Sequence, residues 1–301
     1  MADTNKPSTS SFNQEAQIKP ASPFKAIFPV LAILVCAIVA HIVFYQGFGA
    51  PDNFEEGPQR YETYQKWVED GKVGEEPEHW TKGEPENTFG LVYKGGFVIP
   101  IGLTITLVLI VFLIERGISV ARAGGRGNTD VFVKKVRLAL AKGNIDEAAS
   151  LCDKQKGSVG NVIKAGLRKY KEMEVVTDME KEQKKTAIQA ELEEATMLEL
   201  PMLERNLPIL ATSASLGVLV GLFGTVLGMI RAFSALGAGG APNAAELSVG
   251  ISEALINTAF GIANSAVSVL LYNFFTTQID KMTYAMDEAG YSVVQTFDVR
   301  N

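Results

Sequence analysis

The residue with the greatest capacity for chemistry in this sequence is Glu253, a carboxylic acid inside a long apolar stretch. At about 100° per residue, one side of the helix predicted here carries small and polar residues. These are Glu253, Asn257, Gly261, Asn264 and Ser268. Thr258 and Ser265 widen this polar side, which predicts contact with other helices or a water-filled path rather than with lipid.

A carboxylate at the centre of a membrane helix costs about 2.5–3.5 kcal/mol on insertion scales, so such groups tend to pair or to titrate. Glu253 is therefore a candidate proton carrier. It also lies only a short way into its apolar run, where it could simply be hydrated at the outer interface. The spacing alone leaves both interpretations open.

Two threonines are further candidates for a proton path. Thr225 is the hydroxyl residue in the glycine-rich part of the preceding apolar run, and Thr258 lies one turn beyond Glu253. A hydroxyl group can relay a proton or hold a water molecule. It can equally bond the backbone of its own helix one turn back, which is the commoner role for such a residue.

Glycine spacing in the same run predicts close helix packing. Gly217 and Gly221, and then Gly224 and Gly228, form two G-x-x-x-G pairs, and Gly261 lies on the polar side of the next run. Such pairs place small residues on one helix face and allow another backbone to approach. They predict that residues 208–236 and 248–276 form a tightly packed pair of membrane helices, without specifying an activity.

The elements that must position these residues belong to an all-α membrane protein. Four apolar runs are each long enough to cross a hydrocarbon layer of about 30 Å. Basic residues between 116 and 137 follow the second run, and the positive-inside rule places them in the cytoplasm, with both chain termini on that side. Arg231 then lies near the outer end of the third run, where a long side chain can reach the interface.

The predicted segments alternate between membrane and water. They are a disordered cytoplasmic tail (1–23), a transmembrane anchor (24–48), a periplasmic segment (49–94), a transmembrane helix (95–115), a cytoplasmic helical domain (116–207), a pore-lining helix (208–236), a periplasmic turn (237–247), a second pore-lining helix (248–276) and a cytoplasmic C-terminal tail (277–301). The periplasmic segment is acidic and is expected to be partly helical around residues 60–70.

Within the cytoplasmic domain, three helices are expected, and long helices extend from the membrane into it. The first covers residues 130–143 behind N-cap candidates at 128–130, and a second starts at Ile145. From 159 to 204 the chain is rich in charged helix formers, which predicts one long amphipathic helix interrupted only by Pro201.

Several classes of function are excluded. The soluble stretches contain no nucleophile elbow, phosphate-binding loop or paired catalytic acids, so an enzyme is not expected. A balance of 28 Lys and Arg against 34 Asp and Glu does not favour nucleic-acid binding. His41 and His79 have no ligand neighbours, so no metal or cofactor is predicted. Cys36 and Cys152 fall in different segments, which argues against a disulfide.

Two sequence blocks carry a resemblance to a known family. They are GLFGTVLGMIRAF at 221–233 and GISEALINTAFGIANSAVSVLLYNFF at 250–275. With the order of spans over residues 95–278, they resemble the MotA/TolQ/ExbB proton-channel family, and most closely its ExbB members. The N-terminal anchor and the acidic segment have no counterpart in the common three-span form, and Ser248-Val249-Gly250 replaces the family's frequent Ala-Pro-Gly.

This resemblance implies a five-fold ring of subunits around the membrane helices of ExbD, a smaller one-span partner with an intramembrane Asp. The complex uses the proton gradient to drive TonB and thereby uptake across the outer membrane. The family's inner-face residues correspond here to Thr225, Glu253 and Thr258. A TolQ-like role in envelope integrity and a non-conducting membrane scaffold are the alternatives, while a MotA-like motor has less support.

Overall fold

The computed structural model describes residues 23–72, 74–237 and 244–300, and this part of the chain is helical throughout apart from turns and one isolated bridge. Four helical stretches are long and apolar enough to cross a membrane: 27–48, 96–123, 181–236 and 244–300. The predicted all-α membrane architecture is thus confirmed. Nearly all of the predicted N-terminal tail lies outside the described residues.

The N-terminal anchor lies against the second spanning helix. Helix α1 (Pro23–Ile42) continues as a π-helix over Val43–Phe48, and α4 covers Ile99–Ala123. Ala40 and Phe44 of the anchor pack with Ile99 and Leu103 of α4. Much of the other side of α1 is exposed and apolar, as a surface facing lipid must be.

The acidic segment between these spans folds back onto the end of the anchor. It contains α2 (Gly57–Glu69) and α3 (Thr88–Tyr93), joined by short 3-10 turns. Asn53 organises it: its Nδ2 donates to the carbonyl oxygens of Gly47 (2.8 Å) and Phe48 (3.0 Å), and its Oδ1 accepts from Asn87 Nδ2 at 2.8 Å. Helix α2 includes the region around residues 60–70 that was predicted to be helical.

Four helices follow on the other side of the membrane: α5 (Thr129–Ala141), α6 (Ile145–Gln155), α7 (Ser158–Val175) and α8 (Lys181–Glu204). The predicted single helix over 159–204 is wrong, because the chain is extended at Val176 (φ −72°, ψ 125°). A capping box between Glu180 and Gln183 then starts α8, which packs on α7. Pro201 lies inside α8 without ending it.

The last two helices are the longest. Helix α9 covers Leu207–Gly237 and α10 covers Ala244–Arg300. At about 1.5 Å per residue, the 57 residues of α10 extend about 85 Å, far beyond a bilayer. Residues 277–300, predicted as a tail, continue this helix into the core of the soluble bundle. Of the predicted turn 237–247, residues 238–243 lie outside the described part, and 244–247 already belong to α10.

The soluble core joins α10 to α5–α8. Val293 and Phe297 of α10 are fully buried, and the Phe297 ring packs edge-on against Tyr170 of α7 with 5.0 Å between centroids. Cys152 lies in the same core, where burial raises the pKa of its thiol to about 12. Cys36 and Cys152 are both buried free thiols.

We expect Leu167→Ala to destabilise this bundle strongly. Leu167 is 1% exposed, so truncation leaves a cavity that costs about 2–5 kcal/mol. Thermal unfolding of the detergent-solubilised protein should show a clear drop in melting temperature. The matched control is Leu138→Ala on α5, where the side chain is 62% exposed and the change should be small. Equal shifts for both variants would contradict this description of the core.

Candidate functional site

The glycines singled out by spacing lie at the contact between α9 and α10. A Cβ atom added to Gly261 would lie 2.6 Å from the Gly217 carbonyl oxygen and 2.7 Å from Gly221 Cα. One added to Gly224 would lie 2.5 Å from Asn257 Cβ, and one added to Gly228 would lie 2.6 Å from the Gly250 carbonyl oxygen. The two backbones therefore touch along several turns, which only residues without side chains allow.

Gly250 belongs to this contact and was not recognised from the sequence as a packing residue. A Cβ atom there would lie 2.7 Å from the backbone nitrogen of Ala232. The signal was present in the spacing, because positions 250, 254, 257 and 261 repeat at helical intervals on one face of α10. The contact thus extends over most of the membrane-spanning part of both helices.

This close approach brings the two predicted threonines together. The hydroxyl groups of Thr225 and Thr258 contact each other across the α9–α10 interface. Each also donates to its own helix, Thr225 to the Gly221 carbonyl at 3.1 Å and Thr258 to the Ala254 carbonyl at 3.0 Å. The bond to the backbone of its own helix, one of the two interpretations of each threonine, is therefore present, and the contact between the two hydroxyls is an additional feature.

The two hydroxyl groups of the threonine pair can arrange their hydrogen bonds in more than one way. Three oxygen–oxygen contacts share two hydroxyl hydrogens, so one contact lacks a proton in any arrangement. Rotating either hydroxyl moves the vacancy from one contact to another. Such a pair can relay a proton, because each hydroxyl oxygen can accept a hydrogen while it donates its own.

Glu253 does not join the threonines but pairs with Arg231 of α9. Its side chain is 3% exposed, whereas that of Arg231 is 56% exposed, and Arg231 Nη1 donates to Glu253 Oε2. Gly96, at a φ of +73°, lies against the carboxylate, where a Cβ atom would overlap Glu253 Oε1. Glu253 is thus buried in this chain, and Arg231 is its counter-charge.

The asparagines on the polar side of α10 bind α4. Asn257 Nδ2 donates to the Gly95 carbonyl at 2.8 Å, and Asn264 Nδ2 donates to the Gly102 carbonyl at 3.1 Å. Thr106 Oγ1 donates to Asn264 Oδ1 at 2.8 Å. The polar side therefore faces the helix bundle within one chain, and Gly95 and Thr106 are partners that the sequence did not identify.

A small cavity separates α4, α9 and α10 at this level. Its volume is about 10 Å³, the smallest that can hold one water molecule. Polar groups of Asn257 and Asn264 line it beside Gly102 and Gly221. Glu253, Thr225 and Thr258 are not among its lining residues. Among the described residues, no group of three His, Cys, Asp or Glu could hold a metal ion.

The sequence matches the model of the MotA/TolQ/ExbB proton channel family over residues 154–288. This match contains α9 and the spanning part of α10, and it begins after α4. The resemblance had been placed over residues 95–278, so the family match supports its larger, C-terminal part.

Several curated proteins are similar to this chain. The putative biopolymer transport protein ExbB-like 3 from Synechocystis sp. is 39% identical over 92 residues, 30% of this chain and 44% of that protein. The Tol-Pal system protein TolQ from Haemophilus influenzae is 39% identical over 82 residues, 27% and 36% of the two chains. A putative ExbB homolog from Methanothermobacter thermautotrophicus is 26% identical over 220 residues, 69% and 74% of the two chains. The first two alignments span less than half of those relatives.

We expect Gly261→Ala to separate α9 from α10. The added methyl group meets backbone atoms of Gly217 and Gly221, which cannot move aside as a side chain would. Overpacking of this kind costs about 1–3 kcal/mol, and thermal unfolding in detergent should detect it. In Gly117→Ala, the matched control on α4, the new Cβ atom meets nothing within 4 Å, so stability should be unchanged or slightly higher.

Proposed function

The chain belongs to the MotA/TolQ/ExbB proton channel family, and on that premise we propose that it is an ExbB-like subunit of an inner-membrane motor driven by the proton-motive force. The members of this family are transport subunits and not enzymes. In this proposal the motor energises TonB-dependent transport across the outer membrane. The observation that carries it is the Thr225–Thr258 hydroxyl pair at the contact between α9 and α10, the same two helices that bury Glu253 and its Arg231 partner.

The proposed complex is a homo-oligomer, a pentamer, whose subunits surround the membrane helices of an ExbD-like one-span protein. A TonB-like protein is the element that it drives. The multi-pass chain would lie in the bacterial inner membrane with both termini in the cytoplasm. Arg122, Arg126 and the lysines of α5 support this orientation, since basic loop residues favour the cytoplasmic side.

The chain's own groups would form the polar wall of the proton path. A proton relayed through the pair would move in a concerted transfer, in which one threonine oxygen accepts a hydrogen while its own hydroxyl hydrogen passes to the next acceptor. Neither hydroxyl then keeps an added charge. A proton arriving at the Glu253 carboxylate neutralises it and weakens its ion pair with Arg231. Both events alter the contacts between α9 and a neighbouring helix.

The energy available is sufficient for a mechanical step. Each elementary charge that crosses the membrane releases about 2.3 kcal/mol per 100 mV. A few protons per step therefore supply enough free energy to rotate or tilt a packed helix. The long rigid helix α10 would carry such a displacement between the membrane and the soluble bundle.

Proton flux tests the proposal directly. The purified chain is reconstituted into vesicles with its one-span partner, and an enclosed pH-sensitive dye reports proton entry under a membrane potential. We expect Thr225→Val and Thr258→Val each to reduce flux at least tenfold, because valine has the same shape without a hydroxyl. Glu253→Gln should also reduce flux at least tenfold, since the amide does not titrate.

Thr212→Val provides a matched control. Thr212 is a threonine of α9 whose hydroxyl also bonds its own backbone, at 2.8 Å from the Pro208 carbonyl. Its substitution should leave flux unchanged. Absence of flux in the native complex would instead indicate a non-conducting scaffold. Undiminished flux in all three site variants would show that these side chains do not form the proton path.

A TolQ-like role is the second candidate, because a TolQ protein and an ExbB-like protein match this chain at the same 39% identity. Deleting the gene in its host distinguishes the two roles. If the chain is an ExbB-like subunit, deletion of its gene should abolish TonB-dependent uptake and leave detergent resistance intact. Loss of detergent resistance with normal uptake would assign the chain to envelope integrity.

A further inference from the structure

A large cavity opens at one end of the spans, away from the proposed proton path. Its volume is about 610 Å³, and residues of α1, α4, α7 and α8 line it. Here α4 passes from its apolar part to charged residues, and α8 ends at Glu204 just before the spanning helix α9. The cavity therefore lies at a membrane boundary, at the end that carries the basic residues following α4.

The cavity is positively charged. Four cationic side chains line it against two carboxylates, a surplus of two: Arg116, Arg122, Lys156 and Arg205 against Glu115 and Glu199. Glu115 is engaged by Arg116, with Oε1–Nη2 at 2.6 Å and Oε2–Nε at 2.7 Å. Glu199 accepts from Asn161 Nδ2 at 2.9 Å. Both carboxylates thus have donors, and the surplus charge favours an anion.

Arg116 makes the cavity a preformed feature. Its side chain is 2% exposed, and besides the bonds to Glu115 its Nη1 donates to the Leu203 carbonyl at 3.2 Å. This residue ties the end of α4 to the end of α8. The mouth of the cavity is therefore fixed by a buried hydrogen-bonded group, while Arg122 and Lys156 are exposed and can close on a ligand.

One wall of the cavity is apolar. Phe28 of α1 lines it and packs edge-on against Phe112 of α4, with 6.3 Å between ring centroids. Met202 of α8 lines it as well and is largely exposed. A soluble phosphate compound has no apolar part that could pack against this wall. An amphiphile has such a part, because its acyl chains can pack along α1 while its headgroup contacts the cations.

The N-terminus of α7 makes a smaller favourable contribution to anion binding in the cavity. Gly157 and Ser158 line the cavity at the beginning of this 18-residue helix, where backbone N–H groups carry partial positive charge. Gly157 permits close packing with the end of α4, since a Cβ atom there would lie 2.6 Å from the Ala123 carbonyl oxygen. The cations and the apolar wall remain the principal evidence.

We propose that this cavity binds the phosphodiester headgroup of an anionic phospholipid, with the acyl chains against α1. Arg122, Lys156 and Arg205 bind the phosphate oxygens, and Phe28 and Met202 contact the upper part of the chains. This assigns the N-terminal anchor a role, since α1 supplies one wall of the lipid site. The inference is independent of proton conduction and holds whichever machine the subunit drives.

Native mass spectrometry of the full chain in mild detergent tests the site. Phosphatidylglycerol or phosphatidylcholine with identical acyl chains is titrated, and the bound fraction is measured. We expect one phosphatidylglycerol per chain to bind with clear preference over phosphatidylcholine. The triple variant Arg122→Gln/Lys156→Gln/Arg205→Gln should bind it about 100-fold more weakly, because each basic side chain near the membrane surface contributes roughly fivefold.

Three controls make the outcome decisive. Lys134→Gln/Lys135→Gln/Lys142→Gln removes the same charge from exposed positions of the soluble bundle and should leave binding unchanged. Inorganic phosphate at millimolar concentration should not displace the lipid; if it does, the ligand is a free phosphate and the lipid assignment is wrong. Equal binding of both lipids to the native chain overturns the proposal, even if the triple variant fails to fold.

Discussion

The backbone contact between α9 and α10 is the constraint on which the rest of the membrane part depends. Gly217, Gly221 and Gly261 allow main-chain atoms to meet where most helix pairs are held apart by side chains. In a bilayer, where lipid tails remove the hydrophobic drive between helices, such close packing is a main source of attraction. The same contact fixes the distance at which Thr225 and Thr258 meet, so the packing also defines the site.

A second constraint sets the partners of the polar groups within the spans. A membrane interior offers no water, so these groups must form hydrogen bonds within the protein. Asn257 of α10 therefore bonds to the Gly95 carbonyl just before α4, and Asn264 bonds to the Gly102 carbonyl inside α4. Glu253 pairs with Arg231. These bonds lock three helices into one unit. They leave the threonine pair, with two hydroxyl hydrogens for three contacts, as the group whose hydrogen bonds can rearrange without separating the helices.

Helix α10 couples the membrane to the soluble bundle. Its first half carries the polar side that faces α4 and α9, and its second half buries Val293 and Phe297 among α5–α8. Movement of the spanning half must therefore displace the bundle or strain the helix. The cavity at the boundary lies where α4, α7 and α8 meet, so a lipid bound there would also stabilise the junction through which such movement passes.

Much of this arrangement could be predicted from the sequence, because the signals are local. Apolar runs set the four spans, glycine spacing indicated the α9–α10 contact, and the period of α10 placed Asn257 and Asn264 on one side. The break between α7 and α8 at residues 176–180 was not predicted, because the surrounding residues are strong helix formers and favour one continuous helix. The helical residues 277–300 were missed because packing on the bundle, rather than their own periodicity, holds them.

The sequence by itself thus determined which segments cross the membrane, which residues are small enough to pack and which carry titratable or hydroxyl groups. Only the tertiary structure decided their partners: Thr225 with Thr258, Glu253 with Arg231, and Asn264 with Thr106. Each of these pairs joins two helices. Their contacts depend on how far each helix is rotated and shifted against its neighbour, and those two quantities are set by packing over the whole helix and not by any local pattern.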